Sequence, residues 1–115
     1  MISKFFNSKN LLKTKVASIV HDIEGEIRLC CDEKFWINHY GEYEIDPKLL
    51  TIWICVKTDK AKLNLSSNKE LKIRITSLLI KHDYPEQARS SVYVGFESQE
   101  TVDRESGGDW YLHFK

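Results

Sequence analysis

No apolar run in this sequence approaches the ~20 residues that cross a bilayer, and Met1 to Asn10, with Phe5 and Phe6 beside Lys4 and Lys9, has no apolar core of signal-peptide length. The expectation is a soluble chain of the cytosol with no membrane partner. CxxC spacing is also missing: Cys30, Cys31 and Cys55 are odd in number and imply neither a disulfide framework nor a four-ligand zinc site. They read as reduced, mostly buried thiols. With two prolines and five glycines there is no low-complexity linker, and 115 residues leave no room for a second domain. A surplus of charge is absent too, since 17 basic and 17 acidic residues cancel, which argues against a dedicated nucleic-acid binder.

The signs are nevertheless segregated. Residues 1–20 carry +4, residues 21–50 carry −5, residues 51–82 carry +5 and residues 83–109 carry −5. Such blocks either pair with each other or present local fields to partners.

The 42% hydrophobic and 30% charged composition belongs to a globular chain. From Ser8, the positions Leu12, Val16, Ile19, Val20, Ile23 and Ile27 recur at three- and four-residue steps, predicting an amphipathic helix that ends or kinks near Gly25. Phe35 to Ile45 reads as a strand or hairpin closed by the Asp46-Pro47 turn. Leu50 to Lys57, LTIWICVK, is β-branched and aromatic and reads as a central strand covered on both faces. A lysine-rich loop follows. Ser67 and Glu70 then form an S-x-x-E capping box for a second helix, with Leu71, Ile75, Leu78 and Leu79 as its buried stripe and Pro85 beyond its end. Alternation of Val92, Val94 and Phe96, and later of Trp110, Leu112 and Phe114, predicts two strands joined by the acidic loop Ser98–Asp109. The fold class is therefore α+β: a small mixed sheet with a central strand, a crossover helix and a C-terminal antiparallel hairpin, packed with an N-terminal amphipathic helix.

Motifs of catalysis are scarce. There is no phosphate-cradling glycine loop, G-x-S-x-G elbow, H-E-x-x-H pair or calcium-loop order, so no cofactor, metal site or catalytic residue is expected. A pair of histidines with a lysine or tyrosine suffices for metal-free RNA cleavage, which makes a small histidine-dependent hydrolase or nuclease using His39 or His113 the enzymatic alternative. A ligand-sensing or scaffold domain with a pocket between the second helix and the sheet is a third class. The long acidic segment points instead to binding. Glu97, Glu100, Asp103, Glu105 and Asp109 face only Arg104 as a nearby base, and Trp110 and Tyr111 beside them are residue types favoured at interfaces. The same carboxylates are also suited to pairing with the chain's own basic segment.

The stretch Val92–Lys115, with GFESQETVDRE followed by GGDWYLHFK, resembles the C-terminal portion of small bacterial immunity proteins that accompany secreted or contact-delivered toxins, with weaker similarity in WICVKTD. The resemblance covers about a quarter of the chain. It implies a cytosolic antidote that binds a cognate toxin and blocks its active surface, the acidic loop docking on a basic cleft while Trp110 or Tyr111 supplies buried contact.

Overall fold

The computed structural model describes residues 2–114, with side chains described from residue 11 onward. The helix α1 spans Ile2–Arg28 and the strand β1 spans Phe35–Tyr40. Next come a 3-10 turn at Pro47–Leu49, strand β2 at Thr51–Val56, and helices α2 (Asp59–Ser66) and α3 (Lys69–Lys81). A 3-10 segment at Glu86–Ser91 leads into strand β3 (Tyr93–Ser98), and helices α4 (Gln99–Ser106) and α5 (Trp110–Phe114) finish the described chain. The fold is α+β with a three-stranded mixed sheet in the order β1-β2-β3, antiparallel between β1 and β2 and parallel between β2 and β3. No helix among the described residues is long and apolar enough to cross a membrane.

The apolar stripe of α1 places Val16, Ile19, Ile23 and Ile27 at 0% exposure. They share one core with Leu71, Ile75, Leu78 and Leu79 of α3 and with Ile52, Ile54 and Val56 of β2. Helical backbone already runs through Ser8, so the helix does not start there, and it passes Gly25 without ending. Tertiary packing accounts for this: Ile23 and Ile27 are buried on either side of the glycine, which itself faces solvent. Polar pairs stitch α1 to α3, with Glu26 accepting from Arg74 Nε at 2.8 Å and Asp22 bonded to His82 Nε2 at 2.7 Å.

Three further expectations are corrected. The lysine-rich loop is α2, because Thr58 accepts from the Ala61 amide at 3.1 Å and so caps a helix that buries Leu65. Ser67 caps nothing at the start of α3. It closes α2 by donating to Leu63 O at 2.7 Å, and Asn68 takes the capping position by accepting from the Leu71 amide at 3.0 Å.

The C-terminal hairpin is absent: the antiparallel pair is β1–β2, Ser98–Asp109 holds α4, and Trp110–Phe114 is helical. Alternation over five residues is a weak period, and Trp110, His113 and Phe114 also stand at helical i, i+3, i+4 spacing. Cys55 is buried, as expected of a structural thiol, whereas Cys30 is exposed.

β2 is central, and its alternation sorts the sheet into two faces. Ile52, Ile54 and Val56 turn to the core, while Thr51, Trp53 and Cys55 lie on the opposite face with Trp36 and Tyr40 of β1 and with Tyr93, Gly95 and Glu97 of β3. This second face carries the candidate site.

Two glycines give opposite expectations. A Cβ on Gly25 meets nothing within 4 Å, so Gly25→Ala should stabilise the protein by about 0.5–1 kcal/mol through helix propensity. A Cβ on Gly41, at φ +104°, would stand 1.9 Å from Leu49 O, so Gly41→Ala should cost at least about 2 kcal/mol. Urea unfolding of the two variants against the parent measures both, and equal midpoints for all three proteins would contradict this account.

Candidate partner-binding surface

Two helix starts are tied together at the carboxyl ends of β2 and β3. Ser98, the N-cap of α4, accepts from the Thr101 amide at 3.1 Å and donates to Asp59 in the first turn of α2. Thr101 Oγ1 donates to the same Asp59 oxygen at 2.6 Å and Arg104 to the other at 2.9 Å. Bonds from Ser98, then Thr101, then Arg104 hold the Asp59 carboxyl far below its usual range. In return, Glu100 of α4 accepts from the Asp59 amide at 2.7 Å. Glu33 accepts from the Lys57 and Thr58 amides at 2.9 and 3.0 Å. Carboxylates of Glu33 and Glu100 thus satisfy amides at the start of α2, whereas α4 begins with the Glu100 amide donating to Lys57 O and the Thr101 amide to Ser98 Oγ.

Glu97 is deeper, with a side chain 10% exposed. One oxygen takes Lys62 Nζ of α2 at 2.7 Å and the Ser98 amide at 2.9 Å, and the other meets His113 Nε2 of α5 at 2.7 Å. Burial pushes its pKa up, but the bonds from Lys62, His113 and Ser98 outweigh that and leave it lowered. On its other side the His113 ring meets Ser106 Oγ through Nδ1 at 2.9 Å. The resulting Ser106–His113–Glu97 chain has the residue types of a hydrolase triad. The two amides that follow Ser106, those of Gly107 and Gly108, both donate to Val102 O, so they do not face a developing oxyanion beside the hydroxyl. His39 makes an edge contact with the Tyr43 ring, centroids 5.8 Å apart.

α5 lies across the second sheet face through aromatic contacts. Phe114 stacks on Trp53 with centroids 4.6 Å apart, and Trp110 meets Trp36 edge-on at 5.3 Å. Trp53 lies over its cross-strand partner Gly95: a Cβ there would come within 2.5 Å of the indole. The five residues of α5 are too short to cover the face. They leave a groove of about 600 Å³ lined by Tyr40, Thr51, Trp53, Trp110, Tyr111 and Phe114. Tyr40 and Tyr93, which flank Thr51 across the sheet at its open end, are 49% and 54% exposed. A smaller cleft of about 320 Å³ lies between α3 and β3, lined by Lys72, Ile75, Thr76, Val92 and Phe96 among others.

The residues singled out from the sequence therefore divide. Glu97 is buried against Lys62, while Glu100 is exposed but engaged by the Asp59 amide at the start of α2. Asp103, Glu105 and Asp109 are exposed, Asp103 accepting from Gln99 at 2.8 Å and Asp109 capping α5 through the Leu112 amide at 3.1 Å. Trp110 donates to Gln99 Oε1 at 2.8 Å, which makes Asp103, Gln99 and Trp110 one chain from the acidic helix to the groove. Tyr111 is 75% exposed on α5. Sequence reasoning missed Tyr40, Trp53 and Phe114 as groove residues. Its available signal was a glycine in the strand VYVGF, a place where another side chain approaches the backbone closely. In comparisons with protein-family models, curated proteins and solved structures, nothing matches the chain.

Glu97→Gln should lower stability by about 2–3 kcal/mol, because Lys62 and His113 lose their anionic partner at a mostly buried site. The pH dependence has a definite sign. A folded-state pKa below the ordinary value of 4.5 means the stabilisation is complete above that pH and is lost as the pH falls through the folded value. Urea midpoints should therefore fall below about pH 4.5. Glu97→Gln should flatten that acid limb, and an unchanged limb would show that the carboxylate does not contribute.

Proposed function

We propose that the protein is a non-catalytic binding protein of the immunity type, neutralising a cognate bacterial toxin in the cytosol by covering its active surface. The observation that carries this reading is the adjoining of exposed carboxylates on α4, and of Asp109 just before α5, to an aromatic groove. Tyr and Trp anchors within a charged surround are the composition of protein-binding hot spots, and the carboxylates favour a basic partner surface through faster association. The resemblance of GFESQETVDRE and GGDWYLHFK to immunity proteins falls on these same elements.

Co-expression with the product of a toxin-like reading frame adjacent to this gene tests the function. Protection of the host cell together with a purified complex is the expected result; growth arrest with no complex would sink it. Within that complex, Asp103→Lys with Glu105→Lys should slow association about tenfold at low salt and flatten its salt dependence. Glu100 is left intact in this variant because it caps α2. Unchanged association kinetics would remove α4 from the interface.

The Ser106–His113–Glu97 chain favours a second reading, a small hydrolase. It ranks behind binding because Glu97 is also engaged by Lys62 and the amides after Ser106 are occupied. Turnover of an ester or RNA substrate by the purified protein, lost in Ser106→Ala with the fold intact, would reverse the order.

A further inference from the structure

The open end of the second sheet face has the chemistry of a receptor for one cationic side chain. α5 covers Trp36 and part of Trp53 but reaches the row formed by Tyr40, Thr51 and Tyr93 only at its end, where Phe114 meets the Tyr40 ring with centroids 6.4 Å apart. Among the described residues, those lining the groove include no lysine or arginine. Carboxylates flank it on two sides in the chain: Glu42 and Glu44 follow Gly41 at the end of β1, and Asp109 precedes Trp110, all three exposed. A fourth carboxylate, Asp103, reaches Trp110 through Gln99, with bonds of 2.8 Å on either side of the amide. Arg104, the one base on α4, is held by Asp59 and does not neutralise this rim.

Aromatic faces attract a cation through their quadrupole, and a flat guanidinium stacks on indole and phenol rings while its N–H groups reach carboxylates at the edge. A purely aliphatic anchor would fill the groove equally well by area but would leave the acidic rim without a partner. We propose that the groove between β1, β2 and α5 is the docking site for an arginine side chain presented by a basic loop of a partner protein, with the half-exposed Tyr40 ring as the stacking face, the Trp53 and Trp110 rings as walls, and Asp109 and Glu42 in the flanking segments. This assignment rests on the binding reading above and specifies the anchor it leaves open.

An isotope-labelled sample of the full chain, titrated by NMR with acetyl-Gly-Arg-Gly-Arg-Gly-amide and with the same peptide carrying citrulline for arginine, tests the site without the partner. Shift changes centred on the Trp53 and Trp110 indole signals and on Gly41 and Thr51 are expected. Binding should be at least tenfold weaker for the citrulline peptide and for Tyr40→Leu, a change at a half-exposed ring. Equal binding of both peptides, shifts confined to Asp103 and Glu105, or no shifts would overturn the assignment. So would concentration-dependent dimerisation that buries Tyr40 and Tyr93, since a second copy would then be the occupant. None of these outcomes bears on protection in co-expression, so the groove and the immunity reading fail separately.

Discussion

The carboxylate of Glu97 is the point on which the C-terminal half of the molecule turns. It sits at the carboxyl end of β3 and is gripped from α2 by Lys62 and from α5 by His113. Taking such a group out of water costs several kcal/mol unless opposite charges and amides replace the lost hydration. The Ser98 amide, the ammonium and the imidazole together fill that role. Three elements distant in sequence are thereby fixed at one atom pair, and the geometry of everything beyond β3 follows from it. Apolar packing alone would not do this: α5 has no buried residue, and α4 buries only Thr101 and Val102. A five-residue helix has too few internal hydrogen bonds to form unaided. It exists because rings at Trp36, Trp53 and Trp110 and the Glu97 pair hold both of its ends.

The segregation of charge along the chain is resolved at the same place. The basic block around α2 and the acidic block around α4 meet through Lys62 with Glu97, and the two helix starts exchange Asp59 and Glu100 as acceptors. Internal pairing consumes the deeper carboxylates. What remains exposed in this acidic block beside the aromatic groove is the outward edge of α4 and Asp109 at the start of α5.

Much of this was legible where the hydrophobic period was long. The stripes of α1 and α3 and the density of LTIWICVK in β2 specify the core, because eight or more residues of consistent spacing outweigh one glycine. Short segments were different. WYLHF satisfies a two-residue and a three-to-four-residue period equally, and SQETVDRES was read through its charge and not through Ser98 with Thr101, which begin a helix. Ser67 and Asn68 are both capping residues, and only the end of α2 at Ser66 decides between them. The candidate site had a similar fate. Its carboxylates were visible as composition, but which of them face inward depends on Lys62 being carried on a helix that the lysine-rich segment did not announce.

The placement of the groove on α5 links stability to recognition. Phe114 and Trp110 are at once the rings that hold α5 on the sheet and the walls of the groove, and His113 between them is bonded to the buried carboxylate. Loosening that carboxylate therefore changes the shape presented to a partner even though Glu97 itself is out of reach. Pre-organised aromatic walls lose little side-chain freedom on contact, which lowers the entropic cost of docking. The buried charge, expensive by itself, has its counterpart in a short helix held rigid enough to serve as one wall of a binding surface.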